Sequence, residues 1–198
     1  MPSIPAMTVT GAPRLAPVTQ VRSLRVRLFA ALFRSQLGKV MTPVWVIYAR
    51  MPRLLWPQMM MTRLAQAGLS LDPTLVDLVQ IRVSQTHGCA FCTDLHCAVA
   101  QRSGRDAGKL AAIAQPDLGG ALSEAERAAL RFADEMASGT GVPSDATFAA
   151  VRAAFTALHR APDRAVVELV WLCSFTLYLN RMARALRIGS DGFCPIGS

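Results

Sequence analysis

The first 71 residues of this 198-residue chain contain no aspartate or glutamate. They hold nine basic residues (Arg14, Arg22, Arg25, Arg27, Arg34, Lys39, Arg50, Arg53 and Arg63), so the whole net charge of +8 resides there. The remainder, with 12 basic and 13 acidic residues, is close to neutral. Aromatics are scarce at 7%, and no aromatic-basic groove or binding motif accompanies the charge, which argues against a nucleic-acid partner. Long apolar runs are missing too. Residues 40–61 are broken by Arg50, Arg53 and three prolines, and residues 166–179 are short and carry Glu168, so no membrane span is expected. The first residues lack the charged-then-apolar order of a secretory signal, although an acid-free, arginine-rich start shares the composition of a transit peptide. A mean hydropathy of +0.31 excludes disorder, and the length suits one domain with an extension.

Alternating strand patterns are also absent, and helical signals replace them. Residues 1–18 read as a loose tail. Val21, Leu24, Leu28, Leu32 and Phe33 recur at helical spacing with arginines on the other faces, and Gly38 ends that helix. Residues 1–38 thus form a basic tail and amphipathic arm, ahead of a helical domain over 39–198. Residues 43–67 are apolar and Met-rich, and Pro52 and Pro57 are expected to split them. Asp72-Pro73 starts a helix to about Gln85, and a second runs from about Cys89 to Ser103-Gly104. Residues 116–120 read as a loop. Ser123 and Glu126 form a capping box, Ser144 caps the next helix, and Pro162 opens a long one to about Arg187. The expected fold is all-α, with about eight helices.

Five cysteines remain: Cys89, Cys92, Cys97, Cys173 and Cys194. Three fall within nine residues, unlike a secreted disulfide framework, and a clustered Cys-x-x-Cys points to thiol chemistry in a reducing, cytoplasmic compartment. On a helix starting near Cys89, the side chains of Cys89, Cys92 and His96 share one face. The helix N-terminus stabilises a thiolate, and His96, four residues beyond Cys92, is placed to accept its proton. Asp77 offers a carboxylate for proton relay or for orienting His96. Alternatives stay open: a zinc site built from Cys-x-x-Cys-x3-His-Cys, or an inert cluster. No cofactor or metal is expected. Cys97 and Cys173 read as small buried hydrophobes and Cys194 as a tail thiol. The arm at 19–37 reads foremost as an oligomerisation surface, then as a contact for an anionic membrane.

Asp77, Cys89, Cys92 and His96, the flanking Ile81-Arg82-Val83-Ser84 and the downstream Asn180-Arg181 resemble the alkylhydroperoxidase D and carboxymuconolactone decarboxylase superfamily over about residues 42–190. The resemblance implies that Cys92 attacks a hydroperoxide, Cys89 resolves, and His96 and Asp77 relay protons. It also implies a dithiol reductant of lipoyl type and a homo-oligomer, trimer or hexamer. Two positions depart from the pattern: Asp77 stands where glutamate is usual, and Phe91 where the best-known peroxidase has histidine. A lyase acting on a small cyclic acid and a non-catalytic redox-sensing scaffold are the competing readings.

Overall fold

The computed structural model describes residues 11–113, 115, 118 and 120–194. The expected tail is therefore described only from residue 11, and the expected loop at 116–120 lies largely outside these residues. Eight α-helices occur among the described residues, with no strand: α1 (Leu24–Leu37), α2 (Leu55–Ala67), α3 (Pro73–His87), α4 (Ala90–Arg102), α5 (Ala107–Ala112), α6 (Glu124–Ala137), α7 (Asp145–Thr156) and α8 (Pro162–Ala185). A single wide π-type turn (Val44–Tyr48) and a 3-10 turn (Pro52–Leu54) join α1 to α2.

Most helix starts follow from local chemistry. The Asp72 carboxylate accepts the N–H groups of Thr74 and Leu75 ahead of Pro73. Ser123 and Glu126 bond reciprocally as a capping box, and Ser144 caps α7. Pro57 does not split the second segment. It sits in the first turn of α2, where backbone N–H groups have no helical acceptor and proline costs nothing. Helix α5 was not anticipated; it is six residues long and capped by Asp106.

The core falls into two clusters. The larger is built around α3, which packs on α4, α6 and α8, with α7 closing over α6 and α8. Helix α8 is long and apolar enough to cross a membrane by length and composition, but here it is the core helix, with Leu169, Leu172 and Cys173 fully buried. The smaller cluster joins Val26 and Ala30 of α1, Met41, Val44 and Val46, Leu55, Cys89, Phe91, Cys92, Ala183 and Ile188. The arm is thus packed into the body through its described helix.

Its buried face differs from the expected one. Val26 and Ala30 point inward, whereas Leu24, Leu28 and Leu32 form an exposed stripe. Trp56 and Met59 of α2 line a groove with Leu28 and Leu32, flanked by Arg25 and Arg53, and Met60 and Leu64 are also exposed on α2. Helical spacing found the stripe; the aromatic pairs Phe29–Phe33 and Phe29–Tyr48 decide which side turns inward.

Candidate active site

The two cysteines of the Cys-x-x-Cys sit where α3 turns into α4. Gly88 ends α3 in the left-handed conformation (φ +73°), which only glycine adopts without cost, and this reverses the chain within one residue. The Cys89 N–H then donates to the Ser84 carbonyl at 2.9 Å. Cys89 becomes the N-cap of α4, and its sulfur accepts the Cys92 N–H at 3.3 Å. Cys89 and Cys92 are joined as a disulfide, with Cα atoms 5.3 Å apart. Both are buried, at 1% and 4% exposure.

The supports of this corner come from three helices. Arg82 of α3 grips Asp134 of α6 through two bonds of 2.7 and 2.8 Å, and Thr86 donates to the same carboxylate. The single Ser84 hydroxyl hydrogen is shared between the Gln80 carbonyl at 2.8 Å and Asn180 Oδ1 of α8 at 3.3 Å, which ties α8 to the turn that presents Cys89. His87 lies half-buried at the end of α3, its imidazole held below the ordinary range by burial and by Arg184.

His96 follows Cys92 by one turn, which places both on one face of α4. It is buried, and burial alone lowers its pKa to about 4, so the imidazole is neutral at pH 7. Asp77 is placed differently from the expectation. Its carboxylate is bonded to Arg105 Nε at 2.6 Å, beyond the end of α4, and Arg105 and Asp72 are the charges that act on it. Among the described residues no carboxylate acts on His96. Burial lifts the Asp77 carboxyl above its ordinary range even against the pull of Arg105. The structure therefore brings together Cys89, Cys92 and the His96 face, and joins Asp77 to Arg105 instead.

That ion pair ties the start of α3 to the chain leaving α4. Arg105→Ala is expected to cost about 2–4 kcal/mol, because it leaves a buried carboxylate unpaired. Asp77→Asn should cost less, since it removes the charge. Denaturant titration of both variants gives the stability.

The remaining cysteines separate. Cys173 is buried and free, with its thiol pushed far up by burial, as an inert core residue should be. Cys97 and Cys194 were expected to be a buried hydrophobe and a tail thiol; instead they form a second disulfide, Cα atoms 5.9 Å apart. Sequence reasoning missed this because 97 residues separate them. The partial signal was Asp94, three residues before Cys97, whose carboxylate binds Ser190 and the Cys194 N–H. Among the described residues no group of three or more His, Cys, Asp or Glu side chains is placed to hold a metal ion.

Comparison with known proteins agrees with this architecture. The carboxymuconolactone decarboxylase family profile matches residues 55–135, which includes the Cys-x-x-Cys. An uncharacterised Escherichia coli protein, YnjA, is 30% identical over 185 residues, covering 92% of this chain and 96% of its own. The chain belongs to the carboxymuconolactone decarboxylase family. Solved structures place it in the alkylhydroperoxidase D-like fold of that family. An alkylhydroperoxidase AhpD core protein from Ralstonia eutropha, uncharacterised and peroxidase-related, superposes with a TM-score of 0.74 at 18% identity, covering 92% of this chain and 95% of its own. A protein of unknown function from Agrobacterium tumefaciens, related by its describers to the antioxidant-defence protein AhpD, gives 0.64 at 25% identity, covering 74% and 97%. In this family member the matched region spans α2 to α6, so the thiol corner lies within it.

Proposed function

We propose that the protein is a thiol-dependent peroxidase, or thiol-disulfide oxidoreductase, working through Cys92 and Cys89. The observation that carries this reading is the Cys89–Cys92 disulfide at the N-terminus of α4, one turn above a buried neutral histidine. In the first step the Cys92 thiolate attacks the outer oxygen of a hydroperoxide. An S–O bond forms, the O–O bond breaks, and the alcohol or water leaves with a proton. Cys89 thiolate then attacks the sulfenic sulfur, the S–S bond forms, and water departs. An external dithiol returns two electrons and is itself oxidised to a disulfide. The helix N-terminus favours the Cys92 thiolate, and neutral His96, one turn on, serves as a hydrogen-bond acceptor for the Cys92 thiol rather than as a strong base, since burial lowers its pKa to about 4. The disulfide of the present structure is the state reached after one oxidation.

The decisive experiment is thiol mapping by mass spectrometry before and after one equivalent of cumene hydroperoxide. Formation of Cys89–Cys92 from the reduced pair supports the reading; a pair that stays reduced removes it. A lyase of the kind that gives the family its name needs no vicinal thiols, and nothing in the site favours it.

The partners in this reading are a hydroperoxide, a lipoyl-type dithiol and further copies of the chain. We assign self-association to the apolar face of Leu24, Leu28, Leu32, Trp56 and Met60. Leu28→Glu is expected to shift sedimentation velocity from an oligomer towards the monomer at equal concentration, because a charge on an apolar interface costs several kcal/mol. An unchanged profile, or association of the wild type with anionic vesicles instead, would move this face to another role.

A further inference from the structure

The buried disulfide and the accessible one lie on the same helix. Cys89 and Cys92 are covered, whereas Cys97 and Cys194 are both half-buried. Cys97 stands five residues beyond Cys92 on α4, about 7.5 Å along its axis. Cys194 is carried by a segment that leaves α8 and runs back over α4. Ile188, at the root of that segment, is buried in the same cluster as Cys89 and Cys92. Six peptide steps lead from Ile188 to Cys194, and that length spans up to about 20 Å when extended.

The segment is fastened by contacts other than the disulfide. Asp94 holds Ser190 Oγ at 2.9 Å and the Cys194 N–H at 2.6 Å. Asp191 accepts from the N–H and hydroxyl of Thr42. The Lys39 ammonium reaches the carbonyls of Asp191 and Gly192 and lies 4.7 Å over the Phe193 ring. At Ala98 and Phe193, the chain neighbours of Cys97 and Cys194, is an open hollow of about 200 Å³, lined also by Lys39, Gln101, Arg102 and Gly192. Its charged groups are both cationic, so it suits a dithiol carried on an anionic molecule or an acidic protein surface.

We propose that Cys97 and Cys194 are a second redox site, which takes reducing equivalents from an external dithiol and passes them to Cys89–Cys92. The proposal rests on the redox reading of that inner pair. In the first exchange a thiolate of the external dithiol attacks the Cys97–Cys194 bond. Its second thiol closes the external disulfide and leaves both protein cysteines as thiols. Once the Asp94 bonds to Ser190 and to the Cys194 N–H also open, the tethered Cys194 thiolate attacks a sulfur of Cys89–Cys92, forming a mixed disulfide and freeing the other inner cysteine as thiolate. Cys97 thiolate attacks Cys194 in that mixed disulfide, restoring Cys97–Cys194 and completing the inner dithiol. Two electrons enter at the surface and two arrive at the buried pair. Cys97–Cys194 is regenerated.

The test starts from the protein with both disulfides formed, adds dihydrolipoamide and no peroxide, and follows each pair by acid quench, alkylation and mass spectrometry. Cys97–Cys194 is expected to open first, with Cys89–Cys92 following. Cys194→Ser is expected to slow reduction of Cys89–Cys92 at least about tenfold. In Cys97→Ser the final exchange is blocked, so a peptide joining Cys194 to Cys89 or Cys92 should accumulate. Reduction of the inner pair at the wild-type rate in Cys194→Ser, or absence of that joined peptide in Cys97→Ser, overturns the proposal. In that case the outer bond is a structural tie. Because no peroxide is used, failure here is distinct from failure of the peroxidase reading, which the cumene hydroperoxide mapping decides.

Discussion

Cys92→Ser is expected to lower peroxide consumption by at least about a thousandfold, because a serine hydroxyl at neutral pH supplies almost no anion to attack oxygen. Cys89→Ser should behave differently. Its Cys92 thiolate still attacks once, so one equivalent of peroxide disappears in a burst and turnover then stops at a sulfenic acid, or passes to the sulfinic acid with excess oxidant. The two variants together separate nucleophile from resolving thiol, which neither does alone. Stopped-flow peroxide consumption, with mass spectrometry of Cys92, reads both quantities. A burst in Cys92→Ser with none in Cys89→Ser would reverse the assignment, and steady turnover in Cys92→Ser would remove it. Both cysteines are buried small residues, so serine keeps the volume and the comparison is of chemistry rather than packing.

A second large effect is expected in acid. His96 titrates at about 4 in the folded protein, against an ordinary value near 6.5, because its burial penalises the charged imidazolium. Between those values the unfolded chain binds a proton that the folded chain refuses. Stability therefore falls as pH drops through this window, by about 3 kcal/mol when fully developed. Above pH 7 the group contributes no slope. Asp77 acts in the opposite sense, since a carboxyl held above its ordinary range gains stability on protonation, while Glu126 and Glu168 are held below theirs and lose it. The contribution of His96 is isolated by comparing wild type with His96→Gln in urea titrations at pH 7 and pH 4. The difference between the two proteins should shrink or change sign by about 3 kcal/mol. A constant difference would show that the imidazole is protonated in the fold.

Much of this fold can be read in the sequence because helix ends are local. Asp72-Pro73, the Ser123–Glu126 box and Ser144 each act on residues within one turn, and each stands where the spacing put it. Cys89, Cys92 and His96 were legible for the same reason, being consecutive turns of one helix. What escaped depends on contacts between distant segments. The inward side of α1 is chosen by Phe29 packing against Tyr48, and the partner of Asp77 arrives from residue 105. Cys97 finds Cys194 only after α8 has returned the chain to α4. Pro57 was misread because its effect depends on where the helix begins, which the surrounding apolar run does not mark.

The cover over Cys89 and Cys92 comes from pieces far apart in the chain: α1, residues 41–55 and the segment after α8. Such a cover can open in parts without melting the larger cluster around α3. The rate at which the inner thiols meet any large reagent is then a product of two factors, an opening equilibrium and an intrinsic chemical rate. A partner that binds the outer face of α1 or α2 and rigidifies the cover would slow the thiols without touching them; one that draws α1 away would quicken them. Reactivity at this site is accordingly set as much by how often the fold breathes as by the acidity of its sulfur.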